Sequence, residues 1–345
     1  MMALPVVFKG APGSPYTRKM MAVLRYRRIP YRYLLGSAAD KAGMPKPKVE
    51  LLPTFYLPDA QGVLEAVTDS TPLIRRFEKD VAGRNVIPPD PVLALIDAVL
   101  EDFADEWVTK AMFHYRWVFA DAIAKAGAVL PVHFVGITAS PGVLDTAQTQ
   151  FAQRQIARLA VVGSNAQTAA IIESGYERLV DLLDAHLQTQ AFLMGQRPGA
   201  SDFALYGQLT QLAHFDPVSA ALTLERSRRV FAWVEMLEDL SGLEPMEGDW
   251  AGADALSPTL LALLSELSQG YLPVLLANAR ALAQAEKQMS VDLPSGRWQQ
   301  AVVPYQAKCL RCLREQFAAL DEKAQARAQA IFEATGLTDL IYASV

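Results

Sequence analysis

Hydrophobic and polar positions follow several short periods in the first part of the chain and one helical period after it. Val6-Val7-Phe8 is a brief apolar run that ends in a Gly/Pro-rich loop, Gly10 to Pro15. Beyond that loop Met20, Val23 and Leu24 share one helical face, and the pattern stops before Pro30. Tyr31 to Leu35 reads as a second strand. After a polar, Pro-rich stretch, Thr54-Phe55-Tyr56-Leu57 reads as a third. The turn Asp59-Ala60-Gln61-Gly62 then leads back through Val63-Leu64, which makes a hairpin. Asp69, Ser70 and Pro72 open a short helix over Thr71 to Lys79. The order β-α-β followed by β-β-α, over residues 1–82, predicts a small α/β domain.

The segment AGRNVIPPD, residues 82–90, reads as a linker, and from Pro91 to about Gly248 the period is helical. Tyr176, Leu179, Val180, Leu183 and Leu187 form one buried stripe, and Val230, Trp233, Val234 and Leu237 form another. Between them Gly127 to Asp145 is punctuated by Gly and Pro and is expected to be a loop. From Ser257 a further piece begins. Leu260 to Glu286 is mostly helical with a break at Gly270-Tyr271-Leu272-Pro273, and QMSVDLPSGRWQQ alternates on both sides of Pro294-Ser295-Gly296 as a β-hairpin does. Helices over 303–320 and 322–335 close the chain. The expected class is α/β plus all-α, in three units: 1–82, 90–248 and a mostly helical extension, 250–345.

Composition narrows the function without choosing it. With 345 residues, 51% of them apolar and 20% charged, the chain is an ordinary globular protein. A net charge of −5 argues against a nucleic-acid partner, which needs a concentrated positive field. The Arg/Tyr stretch LRYRRIPYRY, residues 24–33, is read as the end of the first helix and the next strand, a solvated edge or a dimer rim. The opening MMALPVVFKG is not a signal peptide, and the apolar segments are broken by charge, Gly or Pro, so no membrane span is expected. Cys309 and Cys312, spaced i,i+3, have no second pair to hold zinc and no strand-to-helix setting for redox work. They are read as core cysteines of a protein in a reducing cytoplasm. The histidines at 114, 133, 186 and 214 show no ligand spacing, and no metal site is expected.

The string GAPGSPYTRK, Gly10–Lys19, puts Ser14 at a strand end and a helix start, beside unpaired N–H groups and the positive end of the helix dipole. By itself Ser14 before Pro15 is equally a helix cap, Pro53 a turn residue and Asp69-Ser70 a second cap. In this order, with Leu52-Pro53 before the third strand and Asp69-Ser70 before a helix, they resemble the amino-terminal, thioredoxin-like domain of serine-type glutathione transferases. RPGASDFALYGQL, Arg197–Leu209, and the later RRVFAWVEML resemble helices of that superfamily's all-helical carboxy-terminal domain. At one point the chain departs from the pattern: Gly199 stands where the family has Ser or Thr, although Asp202 remains. The resemblance covers about residues 4–245 and leaves the extension without a counterpart.

That resemblance implies a site. The residue matching Ser14 would hydrogen-bond the sulfur of glutathione and lower its thiol pKa. Pro53 would be cis, exposing the backbone of Leu52 to pair with the tripeptide as an added strand. Asp69 and Ser70 would hold the γ-glutamyl end, and Tyr16 is carried over with the Ser14 motif. In the loop Ser37–Glu50 the usual family run is missing, and Lys41, Lys46 and Lys48 are the cations able to meet the glycine carboxylate, the alternative being a solvated charge cluster. In the aromatic-rich segment EDFADEWVTKAMFHYRW, residues 101–117, Trp107, His114 and Arg116 are candidates to line the second-substrate cleft, the alternative being a core helix. The implied activity is transfer of glutathione to a small hydrophobic electrophile, or reduction of a peroxide, by a cytoplasmic homodimer without metal. The alternative is a non-catalytic binding or scaffold protein on the same fold.

Overall fold

In the computed structural model, residues 4–252 and 254–344 are described; the first residues of the MMALPVVFKG segment lie outside them. Strands β1 (Val6–Lys9), β2 (Tyr31–Leu34), β3 (Thr54–Pro58) and β4 (Leu64–Val67) form one sheet in the order β2-β1-β3-β4. β1 runs parallel to β2, with Val6 opposite Tyr31, and antiparallel to β3, with Phe8 opposite Phe55. β3 and β4 are the antiparallel hairpin. The period of two sends Phe8 and Phe55 to one face, stacked 4.9 Å apart, where α1 (Pro15–Tyr26) and α3 (Ser70–Asp80) pack. Val7 and Tyr56 go to the other face, beside the single turn α2 (Ala38–Lys41). This is a thioredoxin-like sheet.

Asp90 starts the helical domain by accepting from Val92 N and Leu93 N, with Pro91 at the first helical position. α4 (Pro91–Phe103), a π-helical turn (Ala104–Val108) and α5 (Thr109–Val118) then form one continuous run of helix. α6 (Ala120–Val129), the short α7 (Val132–Val135) and α8 (Pro141–Ile156) follow. The loop expected over 127–145 is therefore mostly helix. Gly127 is buried inside α6 against α8, and the irregular stretch shrinks to 136–140. α9 (Ala169–His186) buries the stripe Tyr176, Leu179, Val180 and Leu183, as its spacing predicts. α10 (Ala200–Leu209) continues through a second π turn (Thr210–Phe215), and α11 (Pro217–Arg226) and α12 (Arg228–Met236) complete the domain. The Arg/Tyr stretch is a partly exposed edge: Arg28 and Arg32 are exposed, while Arg25 pairs with Glu238 at 2.7 Å and Arg28 with Glu244.

Extension helices α13 (Pro258–Leu267) and α14 (Tyr271–Ala283) lead to the hairpin β5 (Gln288–Leu293) and β6 (Gly296–Ala301), then to α15 (Pro304–Ala318), α16 (Glu322–Thr335) and α17 (Thr338–Tyr342). Its apolar side chains share one continuous core with both preceding units. Trp298 is fully buried, its ring 4.9 Å from that of Trp107, and Lys110 Nζ donates to Gln300 Oε1 at 2.9 Å across the same seam. Gly163, at φ +80°, lets the chain pass there, since a Cβ would stand 2.7 Å from the Trp298 ring. One correction concerns hydropathy: Pro258–Ala283, with a mean hydropathy of 1.5, is by length and composition apolar enough to cross a membrane. In the fold it breaks at 268–270, and Leu260, Leu264, Leu267, Leu272 and Leu275 point into the core.

Candidate functional site

The Gly10–Pro15 loop delivers Ser14 to the N-cap of α1. Its backbone is extended (φ −94°, ψ 119°), and its hydroxyl accepts from Thr17 N at 3.3 Å. The same hydroxyl donates to the carbonyl of Leu52 at 3.3 Å. Leu52–Pro53 is cis, and Leu52 itself lies just before β3, outside the sheet pairing. Across the sheet Asp69 takes φ +84° immediately before α3, an unfavourable conformation for a residue with a Cβ. Its carboxylate makes no cap to α3 and meets Lys308 Nζ at 3.3 Å. Ser14, Leu52, Pro53, Asp69 and Ser70 thus border one edge of the amino-terminal domain. Lys41, Lys46 and Lys48 are all exposed.

The helical domain fixes the loop from beneath. Arg116 Nη1 donates to Gly13 O at 3.1 Å and Gln211 Nε2 to Pro12 O at 3.3 Å. α10 crosses α1 so closely that a Cβ on Gly207 would stand 2.5 Å from Pro15 O. In the π turn, the Asp105 carbonyl accepts the Tyr16 hydroxyl at 2.7 Å, and burial pushes that phenol well above its usual range. Tyr16 therefore commits its hydroxyl to the domain interface.

Beneath Ser70 lies a buried charge cluster. Lys19, fully buried, donates to Ser70 Oγ at 3.1 Å, Glu101 at 2.8 Å and Asp105 at 2.6 Å. Burial opposes its charge, yet Asp105 and Glu101 outweigh burial and hold it above the ordinary lysine value. The two carboxylates divide unequally. Glu101 also accepts from Thr71 and Arg75, and against burial the Lys19 and Arg75 cations hold it at about 2. Asp105, with one oxygen unpartnered, is raised by burial to about 7. Next along the helix burial raises Asp102 to about 6 and Glu106 to about 8. Tyr271, from the extension, donates to Asp102. Burial, with Asp102 and Glu106 beside it, pushes the Cys309 thiol up and keeps it protonated.

The candidates for the second-substrate cleft lie elsewhere. His114 is fully buried, Nδ1 2.8 Å from Ser164 Oγ and Nε2 3.0 Å from Glu173, and burial lowers its pKa. Arg116 is buried in an ion pair with Asp216 at 3.0 Å and bonds Gln211 at 2.7 Å. Trp107 packs on Trp298 and over Gly270. All three serve the interior: the extension covers Trp107, whereas His114 is held by Ser164 and Glu173 and Arg116 by Asp216, Gln211 and the Gly13 carbonyl. Lys19, Asp97, Asp105 and Lys308 carry no local signal as site or support residues, because their partners are far away in the chain. The acidic run in EDFADE is the one trace of the cluster in the sequence.

The fold and this edge define a thioredoxin-like domain joined to a helical one in the manner of glutathione transferases. Residues 9–85 match the family model of the glutathione S-transferase N-terminal domain, and residues 155–235 that of the C-terminal domain. The chain belongs to the glutathione transferase superfamily. Among solved structures it is similar to a GST-like protein from Pseudomonas syringae, with 14% identity and a TM-score of 0.39, covering 67% of this chain and 66% of that one. It is similar to glutathione transferase E6 from Drosophila melanogaster (19% identity, TM-score 0.37, 68% of this chain and 87% of that one). A glutathione S-transferase from Methylobacterium radiotolerans, solved with glutathione sulfonate, is 18% identical with a TM-score of 0.36, covering 66% of this chain and 92% of that one. Among curated proteins nothing matches the chain. The assignment rests on the two domain matches, which leave 86–154 and 236–345 unmatched.

Proposed function

We propose that the protein binds glutathione along the edge bordered by Ser14, Leu52, Pro53, Asp69 and Ser70, and activates its thiol for attack on a small hydrophobic electrophile. The observation that carries the reading is the placement of the Ser14 hydroxyl at the positive end of α1, 3.3 Å from the carbonyl of Leu52. A tripeptide whose cysteinyl main chain pairs with Leu52 puts its sulfur beside that hydroxyl. Ser14 then turns its O–H from Leu52 O to the sulfur, and the helix dipole adds to the stabilisation of the thiolate. The thiol proton leaves to solvent. The sulfur forms a bond to an electrophilic carbon as the bond to the leaving group breaks. Arg116 and Gln211 hold the loop that carries Ser14, so they position without touching the reacting atoms.

Binding without turnover is the second reading. It is favoured by the engagement of Ser14 with Leu52 O and of Asp69 with Lys308, which glutathione must displace. Glutathione affinity of wild type and Ser14→Ala, with conjugation assays on chloronitrobenzenes and hydroperoxides, separates them. Turnover lost at least tenfold in Ser14→Ala with binding nearly kept supports the enzyme. Binding with no turnover on any substrate supports the second reading, and no binding refutes both.

A further inference from the structure

We infer that the extension completes the glutathione site. On this inference Lys308, braced by Tyr305 on the first turns of α15, pairs the α-carboxylate of the γ-glutamyl end while Asp69 pairs its α-ammonium. The inference rests on the glutathione reading above.

Asp69 turns its carboxylate away from α3 and toward α15, where Lys308 Nζ lies at 3.3 Å. The Lys308 ammonium sits 5.1 Å over the Tyr305 ring, and the Tyr305 phenol lies against Asp69. Lys308 is half exposed, so its long stem is free to swing. Ser70 offers little to an arriving carboxylate by itself: it is 6% exposed, and its hydroxyl already accepts the deep Lys19 ammonium. Lys19 is held by Glu101 and Asp105 in the interior. The Asp69 carboxylate faces the first turns of α15, so an incoming carboxylate meets a like charge there. Lys308 is the exposed cation there that offsets it.

The ligand-free pair also explains the selectivity such a site would have. A free γ-glutamyl group carries one ammonium and one carboxylate, so it replaces the Lys308–Asp69 pair by two new pairs with no charge left over. A tripeptide lacking the carboxylate breaks the internal pair and leaves Lys308 without a partner. The site therefore selects ligands that carry both charges.

Calorimetry on the full chain, with glutathione and with 4-aminobutyryl-Cys-Gly (the same tripeptide without the α-carboxylate), tests this in wild type, Lys308→Ala and Lys308→Arg. Wild type should prefer glutathione by about tenfold, Lys308→Ala should bind both peptides alike, and Lys308→Arg should keep most of the preference. A preference undiminished in Lys308→Ala overturns the inference and leaves the glutathione reading intact. So does a wild type that binds both peptides equally, or a Lys308→Ala variant that binds glutathione more tightly, which would make the pair a plug. Failure of wild type to bind either peptide sinks the glutathione reading and this inference with it.

Discussion

Replacing Asp97 by alanine removes the acceptor for Ser201 at the N-terminus of α10 and one of two acceptors for Ala200 N, which also donates to Val86 O at 2.8 Å. The carboxylate, 2% exposed on α4, accepts from Ser201 Oγ at 2.6 Å, Ser201 N at 3.1 Å and Ala200 N at 3.2 Å. Asp202 reaches back to Gly199 N at 2.8 Å, so one half of a capping box is present, and Asp97 supplies the other half from a different helix. Each buried donor left without a partner costs about 1–3 kcal/mol, and the lost cap, which is the same loss seen differently, about 1–2 kcal/mol. Alanine also relieves the burial that raises Asp97 to about 7, so the three losses do not sum fully. A net cost of about 3 kcal/mol, or a fall of roughly 4 °C in Tm for a chain of this length, is expected. Gly199→Ser restores the family's usual residue, yet alone it should destabilise by about 1–3 kcal/mol through overpacking. Its Cβ would stand 2.4 Å from Asp97 Oδ1 and 3.2 Å from Met194 Cγ. With Asp97 gone that space opens and the serine caps α10 itself, so the double variant should recover at least ~1 kcal/mol of the summed loss. Thermal and urea unfolding of the four proteins measures the cycle. Strict additivity, or a Gly199→Ser variant as stable as wild type, would refute the account of Asp97 as a borrowed cap.

Lys19→Met should cost about 3–5 kcal/mol, because it strands Asp105 and weakens the support of Glu101 in the interior; urea midpoints read it, and a loss under ~1 kcal/mol would contradict the ion cluster. Gly207→Ala drives α10 off the backbone of Pro15, so unfolding midpoints should drop by the equivalent of about 1–3 kcal/mol, and glutathione affinity should drop with them. Intact affinity would show that α10 does not set the position of Ser14. Stability should also fall as pH rises from 5 to 7.5. Asp102, Asp105 and Glu106 sit at about 6, 7 and 8 against ordinary values of 3.8 and 4.5, so the folded state holds protons that the unfolded chain has released. Their contribution is complete below the unfolded values and is lost through the folded ones. Asp97 and Asp202, at about 7 and about 8, act with the same sign. Glu101, at about 2, acts oppositely below this window and Lys110, at about 8, above it, while His114, His133 and His186, lowered by burial, oppose the trend inside it up to about their ordinary value of 6.5, so the fall should be steepest between pH 6.5 and 7.5. Glu106→Gln should flatten the upper part of the slope, whereas a midpoint that rises with pH contradicts the assignment.

What the sequence made legible follows from the range of the interactions involved. The order of strands and helices over 1–82 depends on period and on Gly/Pro punctuation, both local; the structure keeps it, adding the single turn α2 in the expected loop and running β4 on to Val67. The hairpin at Gln288–Ala301 was legible for the same reason, its Gly296 at φ +130° just after Pro294-Ser295. The helix through Gly127 was missed because a buried glycine against α8 is tolerated where an isolated helix would end. The π turns at Ala104–Val108 and Thr210–Phe215 have no local signature. In the site, Ser14, Leu52 and Pro53 come together as their motif implies. The partners that give the neighbourhood its charge are far away in the chain, Lys308 standing 239 residues from Asp69. The Gly199 departure looked like a weakened motif. It is a compensated one, since the glycine makes room for the carboxylate that replaces the missing hydroxyl.

The helix from Pro91 to Val118 is where the three units answer to one another. Its carboxylates outnumber the lysines that reach them: Lys19 arrives from α1, and Lys110 comes from the same helix toward the hairpin. The deficit is met by the Arg75 guanidinium on Glu101, by protons, and by the Tyr271 phenol on Asp102. A buried acid is stable only while each of its neighbours stays in place. Detaching α14 and α15 would therefore uncover Asp102 and Glu106, shift the proton balance around Asp105, and alter the hold of Lys19 on Ser70. The extension is coupled to the amino-terminal edge twice over: directly through Lys308, and through the acids of this helix. That double coupling is a physical reason for a glutathione transferase fold to keep a carboxy-terminal piece that neither family domain covers.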